Sequence, residues 1–166
     1  MLQYAPLLIA IGSLITATMS FLSFRHVRKA AVRSETVNLI MRMTSDAHVS
    51  GMLDRFRSLR LSLDAQDRSN PSLDTLRRHT FVWDGAPWDP TRVVKDMFNF
   101  YEAMALGAQA NWLDEKILRS YWRTSYVLDF ADFTAYVADM RSEALGGPRL
   151  YNAYEALVRK WRSSAV

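Results

Sequence analysis

The side chains with the chemistry of a metal ligand or a general base are three histidines and a few carboxylates that interrupt apolar segments. His26, His48 and His79 come first, because imidazole is the commonest metal ligand and general base. None of them has a histidine or glutamate partner at the spacing that places two ligands on one helix face. We therefore expect ordinary surface or boundary histidines, and we predict no metal and no other cofactor.

Glu102 stands out among the carboxylates because it lies in the otherwise apolar segment 98–104. With Asp114, Glu115 and Glu155 it could hold two metal ions in a helix bundle, but that design also needs Glu-x-x-His pairs, which are absent. The alternative that we favour is structural: Glu102 accepts hydrogen bonds from an arginine or a tryptophan, and Asp114 caps a helix. Both are predicted to be structural polar residues.

Composition and motifs exclude or disfavour other kinds of site. The chain has no cysteine, which excludes disulfides, thiolate catalysis and cysteine-ligated zinc or iron–sulfur centres. Segment 119–123 interleaves arginines with Tyr121 and Trp122, which could stack nucleobases, yet core and rim positions explain their helical spacing better. A glycine-rich phosphate loop and a Gly-x-Ser-x-Gly motif are both missing. We predict no catalytic residue, no enzyme activity and no nucleic-acid partner.

The first 24 residues contain no Asp, Glu, Lys, Arg or His and are mostly apolar. At about 1.5 Å per residue, a helix over residues 2–24 would span roughly 34 Å, enough to cross a hydrocarbon layer of about 30 Å. A cleaved signal peptide is the alternative, but it would place positive charge before the apolar run, and here the charge follows it. The sequence therefore predicts a transmembrane anchor over residues 1–24.

A cationic cluster follows the predicted anchor at Arg25, Arg28, Lys29 and Arg33. Lysine and arginine are retained on the cytoplasmic side of membranes, so we expect the N-terminus outside and the C-terminal domain in the cytoplasm. The same four side chains are predicted to contact anionic lipid headgroups. Residues 25–45 are predicted to form a basic, amphipathic juxtamembrane helix.

Small residues recur every four positions within the predicted anchor, at Gly12, Thr16 and Ser20. Small side chains at this spacing form a thin stripe that lets another membrane helix approach closely. The alternative is that small residues are simply common in membrane helices. We predict a helix-packing face, with an integral membrane protein as partner.

Residues 46–166 are predicted to form one all-helical domain, because no segment alternates convincingly with period two. A short strand at 80–83 has no partner strand, so a sheet is rejected. The expected fold class is all-α, with one N-terminal transmembrane helix followed by a cytoplasmic bundle of about five to six helices. Caps, prolines and glycines place those helices near residues 46–63, 71–78, 90–107, 114–126, 129–145 and from 148 onward.

Five segments carry a resemblance to a known family: 99–107 (NFYEAMALG), 113–115 (LDE), 121–122 (YW), 148–151 (PRLY) and 157–161 (LVRKW). With the single N-terminal span they resemble a bacterial domain-of-unknown-function family, number 4760, over most of residues 1–166. The resemblance implies a membrane-anchored helical domain, here assigned to the bacterial inner membrane, and it brings no known activity.

This architecture without a catalytic motif favours a non-catalytic accessory or scaffold subunit of a larger inner-membrane complex, for example of electron transport or photosynthesis. Such a subunit would pack its transmembrane helix beside the complex and cover its cytoplasmic face. The alternative is a membrane-tethered signalling or stress-response module that recruits a soluble partner. A tethered hydrolase or metal enzyme is a third class, which stoichiometric metal in the purified protein would support.

Overall fold

The computed structural model describes residues 5–66, 69–142 and 145–163, with no side-chain description for residues 5–11 and 44. These residues form seven helices and one two-stranded hairpin. The helical content agrees with the predicted helical domain, while the hairpin and the N-terminal helix both differ from the predicted fold class.

The first helix, α1 (Ala5–Ser45), runs without a break across the predicted boundary between residues 24 and 25. Its C-terminal part packs on the rest of the fold through one face, on which Thr36 and Met43 are buried. Asp46 then caps α2 (Ala47–Asp64) by accepting hydrogen bonds from the backbone N–H groups of His48 and Val49. The amphipathic stretch predicted over residues 25–45 thus belongs to a longer helix, of which the part from Val32 onward docks on the domain.

Within the described part of the chain, no helix is both long enough and apolar enough to cross a membrane. Residues 2–4 of the predicted anchor lie outside the described residues, and of residues 5–11 only the backbone is described. The absence of such a helix from the described residues contradicts the predicted transmembrane helix, and with it the single-pass topology and the placement at the bacterial inner membrane.

The expectation of no sheet was wrong. After α3 (Leu73–Arg78), strand β1 (Phe81–Trp83) pairs antiparallel with β2 (Ala86–Trp88), with Phe81 opposite Trp88. The two residues of the turn, Asp84 and Gly85, have φ values of 51° and 73°. Asp-Gly is the dipeptide that favours such a left-handed two-residue turn, so the partner strand lies immediately after it.

Four further helices complete the domain: α4 (Pro90–Gln109), α5 (Glu115–Asp132), α6 (Thr134–Met140) and α7 (Asn152–Ser163). The predicted break between residues 126 and 129 does not occur, because Asp129 lies inside α5 and makes buried contacts instead of starting a new helix. The chain leaves the helical conformation at Phe133, whose φ is −124°.

Side chains that are distant in sequence cap the two short helices. Asn70 accepts a hydrogen bond from the backbone N–H of Ala135 in the first turn of α6, at 2.8 Å. In return, Asp139 of α6 accepts the backbone N–H of Leu73 in the first turn of α3, also at 2.8 Å. Because α6 has no side-chain cap of its own, Asn70 fixes where α6 begins, whereas α3 also has its own N-cap in Ser72.

The core is dominated by aromatic side chains around the fully buried Phe98 of α4. Six rings lie with centroids 5.4–6.5 Å from that of Phe98, mostly edge to face: Phe56, Tyr101, Phe133, Tyr136, Tyr151 and Tyr154. Such pairs add stabilisation beyond the area that they bury, so α4 is the central element of the domain.

Candidate functional site

A buried polar cluster links α2, α4 and α5 beside the aromatic core. Arg60 lies on the same face of α2 as the buried Phe56 and Leu63, and its guanidinium pairs with both Asp129 and Asp132 of α5. The Tyr101 hydroxyl donates a 2.6 Å hydrogen bond to Asp129 from α4. Three helices are therefore joined through one carboxylate that is only 2% exposed.

Burial governs the proton affinity of this cluster. It raises the pKa of the Asp129 carboxyl to about 6, outweighing the hydrogen bond from Tyr101 and the charge of Arg60, which both lower it. Burial also raises the pKa of the Tyr101 phenol well above its usual value, so that phenol stays protonated and donates to Asp129. Asp129 is thus a carboxyl group that exchanges its proton at mildly acidic pH.

A cavity of about 460 Å³ adjoins the polar cluster between α2, α4 and α5. Phe56, Tyr101 and Trp122 line it from three helices, and the half-exposed Tyr121 lies at its edge. The indole Nε1 of Trp122 is buried, with no hydrogen-bond partner among the described residues. The cavity has the size of a small-molecule pocket, but its charged groups are already engaged with one another.

Sequence reasoning missed the three charged members of this cluster, Arg60, Asp129 and Asp132. Asp129 follows an apolar pair, which is typical of a helix start, and Arg60 lies between Leu59 and Leu61 in the predicted helix 46–63. The available signal was the charge of Arg60 on the buried face of an amphipathic helix. Such a charge needs an opposite partner elsewhere in the fold.

Glu102 occupies a structural position, but its partners are not the predicted arginine or tryptophan. Its two carboxylate oxygens accept the backbone N–H groups of Ala153 and Tyr154, at 3.1 and 2.7 Å. These groups belong to the first turn of α7, where helical N–H groups have no partner within their own helix. Glu102 of α4 therefore fixes the start of α7.

Asp114 and the three histidines are the other side chains that the sequence analysis singled out. Asp114 is the N-cap of α5 and accepts the backbone N–H groups of Lys116 and Ile117. His26 and His48 are exposed. His79 is buried, contrary to the expected surface or boundary position, and its Nε2 lies 2.9 Å from the Ser62 hydroxyl. Among the described residues, no group of three or more histidine, aspartate and glutamate side chains is arranged to hold a metal ion.

The predicted helix-packing residues Gly12, Thr16 and Ser20 are exposed on α1. The Thr16 hydroxyl donates to the carbonyl oxygen of Gly12, one turn earlier, at 2.9 Å. Apart from Gly12 itself, its two chain neighbours and the nearby backbone of α1, no described atom lies within 4 Å of the position that a Cβ on Gly12 would occupy. Within the described residues, this face is unpartnered.

The four predicted lipid-headgroup residues lie along one side of α1, at the edge of a second cavity of about 930 Å³. The guanidinium of Arg25 lies 5.8 Å from the Phe21 ring, and Arg33 pairs with Asp114 at 3.3 Å. Arg28 and Lys29 are exposed. The opposite wall of this cavity is formed by the beginning of α5 and by Lys160 of α7, a juxtaposition that the sequence pattern does not reveal.

Comparison with known proteins gives one family. Residues 7–161 match the model of a family described as Domain of unknown function (DUF4760). No curated protein and no solved structure matches the chain.

Proposed function

The chain belongs to the DUF4760 family, a domain of unknown function, and on that premise we propose that it is a non-catalytic accessory or scaffold subunit of a larger protein assembly. The observation that carries this proposal is the apolar surface of the N-terminal part of α1. We call residues 12–27 of that helix the apolar arm.

The apolar arm exposes large hydrophobic side chains on several sides of the helix. All are between 45% and 69% exposed: Leu14, Ile15, Met19, Phe21, Leu22, Phe24 and Val27. At about 1.5 Å per residue the arm is roughly 24 Å long. Contiguous apolar surface of this extent is rare on a protein without a partner and is typical of an interaction site.

Burial of the arm supplies a strong driving force for association. Fully burying a large apolar side chain stabilises a complex by about 1.5–3 kcal/mol, and the arm offers seven of them. The docked part of α1 fixes the arm to the helical domain through Thr36, whose hydroxyl accepts the Asp114 N–H at 2.7 Å. A partner that covers the arm would therefore also position the domain.

The buried polar groups of the domain support a structural role. Glu102 is engaged by α7, and Asp129 is engaged by Arg60 and Tyr101. Each of these contacts joins two or more helices, so the groups that sequence and structure single out for chemistry hold the fold together. The nature of the partner, expected to be an integral membrane protein, stays a prediction.

The test is purification of the intact chain from its native cells, followed by native mass determination and identification of stoichiometric companions. We expect wild-type protein to elute as a complex. A variant with Leu14→Glu and Met19→Glu should elute free, because charge on the arm opposes its burial. The matched control is Leu61→Glu with Val82→Glu, which changes side chains of similar exposure on the domain and should leave the complex intact.

Wild-type protein that purifies as a monomer without companions would contradict the proposal. A companion retained by the arm variant would favour the alternative, a signalling module that recruits its partner through the helical domain. Circular dichroism of all three proteins, with equal melting temperatures, ensures that the variants are compared in the folded state.

A further inference from the structure

The cavity of about 930 Å³ between α1 and the beginning of α5 has one wall of cationic side chains from α1. Arg25, Arg28, Lys29 and Arg33 follow one another along this wall. We call this cavity the basic groove. Arg28 and Lys29 have no ion-pair partner among the described residues, while Arg33 is paired with Asp114.

The opposite wall of the basic groove adds three cations from two other helices. Lys116 and Arg119 come from α5, and Lys160 comes from α7. The groove thus holds seven cationic side chains and two carboxylates, Asp114 and Glu115. Side chains from three helices therefore give the groove a net positive charge.

Both carboxylates of the groove are already engaged within the fold. Asp114 caps α5 and pairs with Arg33. Glu115 accepts hydrogen bonds from Lys160 at 2.6 Å and from the Trp161 indole at 3.1 Å. They are therefore held in place and cannot turn to neutralise Arg28 and Lys29. The groove complements an anion.

Apolar side chains line the same groove beside the cations. Phe21, Phe24 and Val32 contribute from α1, and Leu113 contributes from the turn before α5. Phe21 and Phe24 also belong to the apolar arm, so the apolar wall continues along α1 toward Met19. A ligand that matches this surface has an anionic head and a long hydrocarbon part.

We propose that the basic groove binds the phosphate head group of an anionic phospholipid, with the hydrocarbon chain lying along Phe21 and Phe24. A free phosphate would use only the cationic wall, and an acidic peptide would leave the apolar wall uncovered. An anionic phospholipid satisfies both walls. The lipid site shares Phe21 and Phe24 with the apolar arm, but its cations lie on α1, α5 and α7 beyond Leu14 and Met19, so different substitutions test the two contacts.

The test is flotation of the intact chain with phosphatidylcholine vesicles in which part of the lipid is replaced by phosphatidylglycerol. We expect binding to the phosphatidylglycerol vesicles, with release at high salt because the cationic contact is screened. Arg28→Gln with Lys29→Gln should weaken binding about 25-fold, taking about fivefold for each charge near the lipid. Lys116→Gln, on the opposite wall, should weaken it about fivefold.

The control is Arg77→Gln with Arg92→Gln, which removes two exposed charges far along the chain from the groove and should leave vesicle binding unchanged. Equal binding to pure phosphatidylcholine would overturn the proposal, as would an unchanged affinity in the Lys116→Gln variant. Displacement by glycerol 3-phosphate alone would assign the groove to free phosphates, and tighter binding of polyglutamate would assign it to acidic peptides. The Arg28/Lys29 variant should still co-purify with the protein companion, which separates this test from that of the assembly.

Discussion

Asp129 is the residue on which the polar contacts of three helices converge. Its carboxylate is buried at a cavity that Phe56 and Trp122 also line, and it is held by Arg60 of α2 and Tyr101 of α4. A buried charge with two partners has a high cost when either partner is removed, because the remaining group keeps its desolvation penalty. The cluster therefore fixes how α2, α4 and α5 pack together.

The raised pKa of Asp129 predicts a specific dependence of stability on pH. In the folded protein the carboxyl keeps its proton up to pH of about 6, whereas in the unfolded chain it loses it near pH 4. Between these values the folded state binds more protons, so the free energy of unfolding falls as pH rises. Relative to Asp129→Asn, the free energy of unfolding of the wild type should fall by about 2.5 kcal/mol between pH 4 and pH 7, measured by urea unfolding.

The comparison with Asp129→Asn removes the contributions of the other titrating groups. A difference between the two proteins that stays flat, or grows in favour of wild type as pH rises, would show that burial does not raise the pKa of Asp129.

Removal of the Glu102 carboxylate should disorder the first turn of α7. Glu102→Ala removes both acceptors of the Ala153 and Tyr154 N–H groups and should lower the free energy of unfolding by about 1–3 kcal/mol. Glu102→Gln keeps one oxygen acceptor and should lose less. Hydrogen exchange checks the mechanism: the amides of Ala153 and Tyr154 should exchange faster in the alanine variant, and unchanged exchange there would contradict it.

At the scale of elements, some helix starts are fixed by neighbouring residues and others by residues distant in the sequence. Asp46, Asp89 and Asp114 cap α2, α4 and α5 through their own neighbours, and sequence placed those starts to within one or two residues. The starts of α6 and α7 depend on Asn70 and Glu102, which are more than 50 positions away in the chain. No local pattern contains that information, so the sequence placed these two helices too early.

The polar cluster and the basic groove were likewise predictable only where the residues involved lie close together in the sequence. Sequence predicted the cations of α1, which lie together in one short segment, and the structural character of Glu102 and Asp114. It did not predict that Lys116, Arg119 and Lys160 face the α1 cations, because only the packing of α1 against α5 brings them there. Asp129 was missed because an aspartate after an apolar pair has the local pattern of a cap.

The hairpin between α3 and α4 supplies a test at the scale of an element. Gly85 has a φ of 73°, a conformation that disfavours any side chain, so Gly85→Ala should lower the free energy of unfolding by about 1 kcal/mol. Gly51 is the matched control. It lies inside α2 with no described atom near its would-be Cβ, and Gly51→Ala should stabilise by about 1 kcal/mol. Urea unfolding that gives the same sign for both variants would contradict the assigned turn.

At the scale of the whole molecule, the described residues form a helical domain and a helix that extends beyond it. The docked part of α1 packs through Thr36 and Met43, while the apolar arm before it exposes its hydrophobic side chains. Where the arm meets the domain lies the basic groove, with cations from three helices. This division into a packed domain, an apolar arm and a charged junction is the arrangement expected of a subunit that is positioned by a partner.

The central claim is that the apolar arm is covered in the native assembly, and cysteine labelling tests it directly. Because the chain has no cysteine, Met19→Cys and Leu61→Cys each introduce a single thiol at positions of nearly equal exposure, 62% and 64% in the isolated chain. We expect a maleimide to modify Leu61→Cys rapidly in the native assembly and to modify Met19→Cys only after denaturation. Equal rates at the two positions in the native assembly would show that nothing covers the arm and would contradict the account.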